Sequence, residues 1–127
     1  MTKLATALTG VSGILVTPFD AGGNINPAPL KKIVDRAVNA GVHVLTSNGN
    51  TGEFYGLSLE EAVSMVHAHS DAIEGRVPMV AGIGRGIRDA MRLAKESKAA
   101  GASALMIHQP PDPFVAPRGL VDYISAV

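Results

Sequence analysis

Ala40-Gly41-Val42-His43-Val44-Leu45 returns two structural units later as Ala100-Gly101-Ala102-Ser103-Ala104-Leu105, and this repeat decides the fold class. In each copy a helical period ends on alanine, a glycine stops it, and a short apolar run follows, the order in which a helix hands over to a buried strand. Outward from these junctions, apolar runs predict strands over residues 11–17, 42–47, 77–81 and 102–108. Helical periods alternate with them. Asn26 offers an N-cap with Pro27 at the first helical position, and Leu30, Ile33, Val34, Ala37 and Val38 follow at one-face spacing until Gly41. Ser58 and Glu61 form a capping box for a helix running to about Glu74, with Gly75 as its stop. A third helix is expected over 87–100, and a fourth begins after a proline-rich loop over 109–117. Each strand-helix unit takes about thirty residues, the size of a parallel crossover unit, so the class is α/β with a parallel sheet. An open doubly wound sheet and a (β/α)₈ barrel share this local pattern, and periodicity leaves both open.

Composition narrows the function classes. The 127 residues suffice for one core, and 11 Lys plus Arg balance 11 Asp plus Glu. A neutral chain without a basic stripe has no electrostatic reason to bind nucleic acid or an anionic membrane. The absence of cysteine removes disulfides, thiolate nucleophiles and zinc ribbons, and fits a cytoplasmic location. The first ten residues are too weak a pattern for a signal peptide, and no apolar run approaches the ~20 residues of a membrane span.

The chemistry concentrates between Ser47 and Ser58, which reads Ser-Asn-Gly-Asn-Thr-Gly-Glu-Phe-Tyr-Gly-Leu-Ser. Gly49 and Gly52 let the backbone turn and approach a ligand, while Asn50 and Thr51 add side-chain donors, so the loop is suited to a small anion. Gly82-Ile-Gly-Arg-Gly after the third strand is a poor dinucleotide loop, because its third glycine comes one position early and no acid closes the next strand. No cofactor and no metal site are expected. Arg85 in that stretch is a candidate to reach a distal carboxylate. His67 and His69 stand two apart on a helix, do not face each other, and are expected to be solvated. Glu53, beside a helix start, is expected to accept backbone N–H groups and fix the loop rather than to act as a general base. Phe54 and Tyr55 are expected to pack or to meet another subunit.

Four ordered segments carry a resemblance: Gly13-Ile-Leu-Val-Thr-Pro-Phe, then Asp20 with Gly23-Asn-Ile, then Gly49-Asn-Thr-Gly-Glu-Phe, then Val80-Ala-Gly-Ile-Gly. Together, over nearly the whole chain, they resemble the dihydrodipicolinate synthase and N-acetylneuraminate lyase family. The resemblance implies that residues 1–127 are the N-terminal half, about four βα units, of a (β/α)₈ TIM barrel. It implies a lysine Schiff base with pyruvate or a related 2-oxo acid, in a homo-oligomer (tetramer or dimer). Thr51 matches the family threonine that binds the carboxylate through its hydroxyl and backbone N–H. Asn50 matches a neighbour that in many members is a hydroxyl donor in a proton relay, and with Gly49 these are the expected substrate-binding residues. Asn50 can donate a hydrogen bond but cannot pass a proton as a hydroxyl does.

Two further departures follow. Where synthases of the family often carry a tyrosine pair after strand four, this chain has Gln109-Pro110-Pro111-Asp112-Pro113-Phe114. His108, at the strand end, has two readings: an acid or base in place of the phenol, or, preferred here, a hydrogen-bonded histidine that orders the proline-rich loop. The family's Schiff-base lysine and its assisting tyrosine belong to strands six and five, so the lysine is expected beyond Val127 and the segment alone is expected to be inactive. Within the family, dihydrodipicolinate synthesis, N-acetylneuraminate cleavage and aldol cleavage or dehydration of a keto-deoxy sugar acid stay open. A noncatalytic fragment or small-anion-binding module is the alternative of another class.

Overall fold

A computed structural model of the chain describes residues 3–112 and 115–127; Pro113 and Phe114 of the proline-rich loop, and Met1 and Thr2, lie outside them. The elements are α1 (Lys3–Leu8), β1 (Ser12–Ile14), α2 (Leu30–Asn39), β2 (Val44–Ser47), a 3₁₀ turn (Asn50–Gly52), α3 (Leu59–Ile73), β3 (Met79–Ile83), α4 (Ile87–Ala99), β4 (Ala104–Ile107) and α5 (Pro117–Ala126). The four strands form one sheet in the order β1-β2-β3-β4. Every pair is parallel, with Gly13 opposite Leu45, Leu45 opposite Met79 and Ala81 opposite Leu105.

The repeated junction forms as a repeated structure. Gly41 donates to the Val38 carbonyl and Val42 to that of Ala37; Gly101 donates to Lys98 and Ala102 to Ser97. This is the Schellman pairing of a helix C-terminus, which needs a left-handed residue at the glycine position. Gly41 has φ +82° and Gly101 φ +89°, each with open space around it, so backbone angle rather than room selects glycine there. The capping box also forms: the Glu61 amide donates to Ser58 Oγ at 3.2 Å and the Ser58 amide to Glu61 Oε2 at 2.6 Å. Replacing Ser58 by alanine is expected to lower the stability of the native protein by about 1 kcal/mol in urea unfolding.

Several element boundaries differ from the sequence reading: β1 ends at Ile14 rather than at residue 17, β2, β3 and β4 each start two residues later than expected, and β4 ends at Ile107. Helix α2 starts at Leu30, because Pro29 disfavours a helical conformation at Ala28. Asn26 therefore caps only a tight turn, its Oδ1 accepting from the Ala28 amide at 3.1 Å. Strand β3 runs past Ala81 to Ile83. Its Gly82 lies so close to β2 that a Cβ there would stand 2.1 Å from the Asn48 carbonyl oxygen, so the glycine permits the strand instead of ending it. Helix α1 lacks a periodic signal long enough to be read in advance.

The core lies between the sheet and its helices. Leu45, Met79, Ala81 and Ile83 face Leu30 and Val34 of α2, Met65, Val66 and Ile73 of α3, and Leu93 of α4. The sheet is open elsewhere: Ile14 is 44% exposed, Val16 39% and Leu105 43%. Among the described residues β1 pairs only with β2 and β4 only with β3, leaving two bare edges. No described helix is long and apolar enough to cross a membrane.

Candidate active site

The glycine- and asparagine-rich loop leaves the C-terminal end of β2 and reaches the capped start of α3. Its sharp bends fall on Asn48 (φ +54°) and Glu53 (φ +59°), not on its glycines. Gly49 and Gly52 serve close approach instead. A Cβ at Gly49 would meet Ile14 Cγ2 at 2.6 Å, and one at Gly52 would meet the Leu15 carbonyl oxygen at 2.9 Å. The loop is thus pressed against the end of β1.

Four side chains hold it there. Thr17 donates its hydroxyl to the Gly52 carbonyl at 2.6 Å. Asn48, fully buried, donates Nδ2 to the Ala62 carbonyl of α3 at 3.0 Å. From the β3 side, Arg85 donates to the carbonyls of Phe54 (2.8 Å) and Leu57, with its guanidinium 5.0 Å from the Phe54 ring centroid. From β4, His108 donates through Nε2 to the Asn48 carbonyl at 2.8 Å and stacks on Phe54, centroids 4.5 Å apart and planes 13° from parallel. Charge-assisted and buried bonds of this kind are the stronger ones.

The expected binding residues are what this scaffold leaves over. Asn50 and Thr51 are exposed on the 3₁₀ turn, and neither side chain makes a hydrogen bond among the described residues. Beside them Asn50, Glu53, Phe54, Tyr55 and Gly56 line a depression of about 270 Å³. Two donors therefore stand at the C-terminal end of a parallel sheet on a loop held from β1, α3, Arg85 and His108, the preorganised arrangement suited to receiving an anion. A second cavity of about 300 Å³, reached by Lys3, Gly75 and Gly101, lies at the opposite end of the strands.

Several side chains depart from expectation. His69 is completely buried, not solvated: it points into the sheet while His67, about 200° away around α3, lies outside with Glu96 at 3.3 Å. Burial pushes the His69 imidazole down to about 4, only partly offset by the Val16 carbonyl. Arg85 donates Nη2 to two loop carbonyls, a role in holding the loop that its sequence context did not suggest. The Glu53 carboxylate accepts no backbone N–H among the described residues; Glu53 contributes its left-handed backbone instead. His108 orders the β2 loop rather than only the proline-rich one, and Tyr55 joins the two by donating its hydroxyl to the Gln109 carbonyl at 2.9 Å. Thr17, Ser47 and Asn48 lie within segments singled out in the sequence, but their part in holding the loop is visible only once β1, β2 and α3 are assembled.

The model of the Dihydrodipicolinate synthetase family matches residues 7–127. This chain belongs to that family. It is 33% identical over 123 residues to the 4-hydroxy-tetrahydrodipicolinate synthase of Psychrobacter sp. (strain PRwf-1), covering 96% of this chain and 41% of the relative. With the Bacillus subtilis (strain 168) enzyme of the same name the identity is 31%, over 92% of this chain and 41% of that one. Dihydrodipicolinate synthase from Bacillus clausii superposes with a TM-score of 0.91 at 44% identity, covering 97% of this chain and 42% of that one. YagE, a prophage protein of the dihydrodipicolinic acid synthase family from E. coli K12 solved in complex with pyruvate, gives 0.87 at 27% identity, over 93% and 41%. The chain thus spans about two fifths of the length of these dihydrodipicolinate synthase family relatives. Its four parallel βα units are the N-terminal half of a (β/α)₈ TIM barrel, which accounts for the bare strand edges and the exposed Ile14, Val16 and Leu105.

Proposed function

We propose that the native protein is a lyase or synthase that holds pyruvate or a related 2-oxo acid by its carboxylate at the Asn50-Thr51 loop and activates it as a lysine Schiff base. The observation that carries this reading is the contrast within the loop. Its backbone and buried side chains are tied to β1, α3, Arg85 and His108, while the donors of Asn50 and Thr51 are exposed and unengaged. Such a loop holds a carboxylate without reorganising, which positions the adjacent carbonyl for attack by an amine. Pyruvate in YagE supports the substrate class.

The attacking lysine is assigned to a part of the native protein beyond Val127. Every lysine here lies in a helix: Lys3 in α1, Lys31 and Lys32 in α2, Lys95 and Lys98 in α4. None stands at a strand end, where burial or a neighbouring cation would keep the amine neutral enough to attack. With its Nε2 hydrogen committed to Asn48, His108 has Nδ1 left for proton exchange in place of the family's phenol. We further assign the native protein to a homo-oligomer.

Borohydride reduction in the presence of pyruvate, followed by peptide mass spectrometry, tests the mechanism, because reduction turns the imine into a stable secondary amine. The native protein is expected to carry the adduct on a lysine outside these 127 residues. The isolated segment, with its open sheet, is expected to aggregate and to remain unmodified. Stoichiometric trapping on any of its own lysines would overturn the assignment.

A further inference from the structure

We infer that His69 is a positioning residue for the anion loop, acting through Ser47 at the loop's start and through the Val16-Thr17 segment that follows β1. Three elements meet at this one ring. The Val16 carbonyl, 3.3 Å from Nε2, can only accept, so Nε2 carries the hydrogen. Nδ1 is then an acceptor, and the Ser47 hydroxyl donates to it at 2.7 Å. Ser47 and His69 are both fully buried, so neither bond has a water substitute at hand.

The consequence is geometric. Ser47 is the last residue of β2, four positions before Thr51, and His69 fixes its side chain. Val16 precedes Thr17, whose hydroxyl holds the Gly52 carbonyl just after Thr51. His69 therefore ties down both supports of the 3₁₀ turn at once: the strand entering the loop, and the segment that grips its far side. Asn48 supplies a third tie, from its own Nδ2 to Ala62 on the same helix. Helix α3 thus acts as the rigid bar on which the Asn50-Thr51 turn is mounted. Donor positions matter at this level, because a displacement of about 1 Å at a binding group already costs orders of magnitude in rate.

This inference rests on the anion-loop reading, so the experiment includes a variant that tests that reading alone. Pyruvate binding to the native protein is measured by calorimetry for the parent, Thr51→Val, Ser47→Ala, His69→Leu and His69→Asn, with Tm recorded for each. His69→Leu removes both bonds. His69→Asn places an amide oxygen near the Nδ1 position and keeps an acceptor for Ser47. Ser47→Ala and His69→Leu are expected to weaken pyruvate binding about tenfold, and His69→Asn to recover it to within about threefold of the parent. If His69→Leu fails to fold, Ser47→Ala carries the test. Parent-like binding in Ser47→Ala, with Thr51→Val impaired, would overturn the inference while leaving the loop reading intact. A loss of binding that follows Tm across the set, with no recovery in His69→Asn, would likewise overturn it and assign His69 to stability alone. Parent-like binding in Thr51→Val would overturn the loop reading, and the inference with it.

Discussion

Thr51→Val is expected to lower the catalytic efficiency of the native protein toward its 2-oxo acid by about 2–4 kcal/mol, a factor of roughly 30 to 1,000. Valine keeps the β-branch and approximate volume of threonine and removes only the hydroxyl, so the backbone N–H of the 3₁₀ turn stays in place. Thr51 is exposed and its hydroxyl bonds to nothing among the described residues, so the substitution should leave Tm nearly unchanged. That separation gives the experiment its force: a large kinetic loss without a stability loss requires the hydroxyl to meet the substrate. Asn50 gives the milder companion result, since an amide can strengthen anion binding without passing a proton. Undiminished efficiency of Thr51→Val toward every 2-oxo acid tested would remove the carboxylate from this loop.

Where the chain was legible from its sequence, the signal was local. Gly41 and Gly101 announce their helix ends because a left-handed residue is required there and few residue types adopt it. Ser58 and Glu61 announce a helix start because both partners of the capping box lie within one turn. The start of α2 was misplaced because two opposing local rules apply: Pro27 favours a first helical turn, and Pro29 forbids Ala28 from joining it. The site divides in the same way. Asn50 and Thr51 stand out in the sequence because they are small, polar and flanked by glycine. Arg85, His108, Thr17 and His69 hold the loop from 28 to 60 positions away in the case of Arg85 and His108, and nothing in their own neighbourhoods announces that partner. His69 is the sharpest case: period alone says that it faces away from His67, but which of the two faces inward depends on where α3 meets the sheet.

That buried histidine leads to the second large effect, a loss of stability in mild acid. An unfolded-state imidazole titrates near its ordinary value of 6.5, whereas burial holds His69 in the folded protein down at about 4. Between these values the unfolded chain binds a proton that the folded chain refuses, so stability falls as pH falls. The contribution is fully present above about pH 6.5 and is lost progressively as pH drops through 4, reaching ~3 kcal/mol there. Carboxylates also respond in this range, so the informative quantity is the difference between the native protein and its His69→Leu variant in urea unfolding at pH 7 and pH 4. Their stabilities should converge by ~3 kcal/mol on acidification, because leucine has no proton to bind. Protonation would also turn Nδ1 from acceptor to donor, and the Ser47 hydroxyl, which can accept as well as donate, would reverse its role in that bond, so the cost of acidification lies in burying the charge. A stability difference that stays constant from pH 7 to pH 4 would show that His69 accepts its proton in the folded state as readily as in the unfolded one.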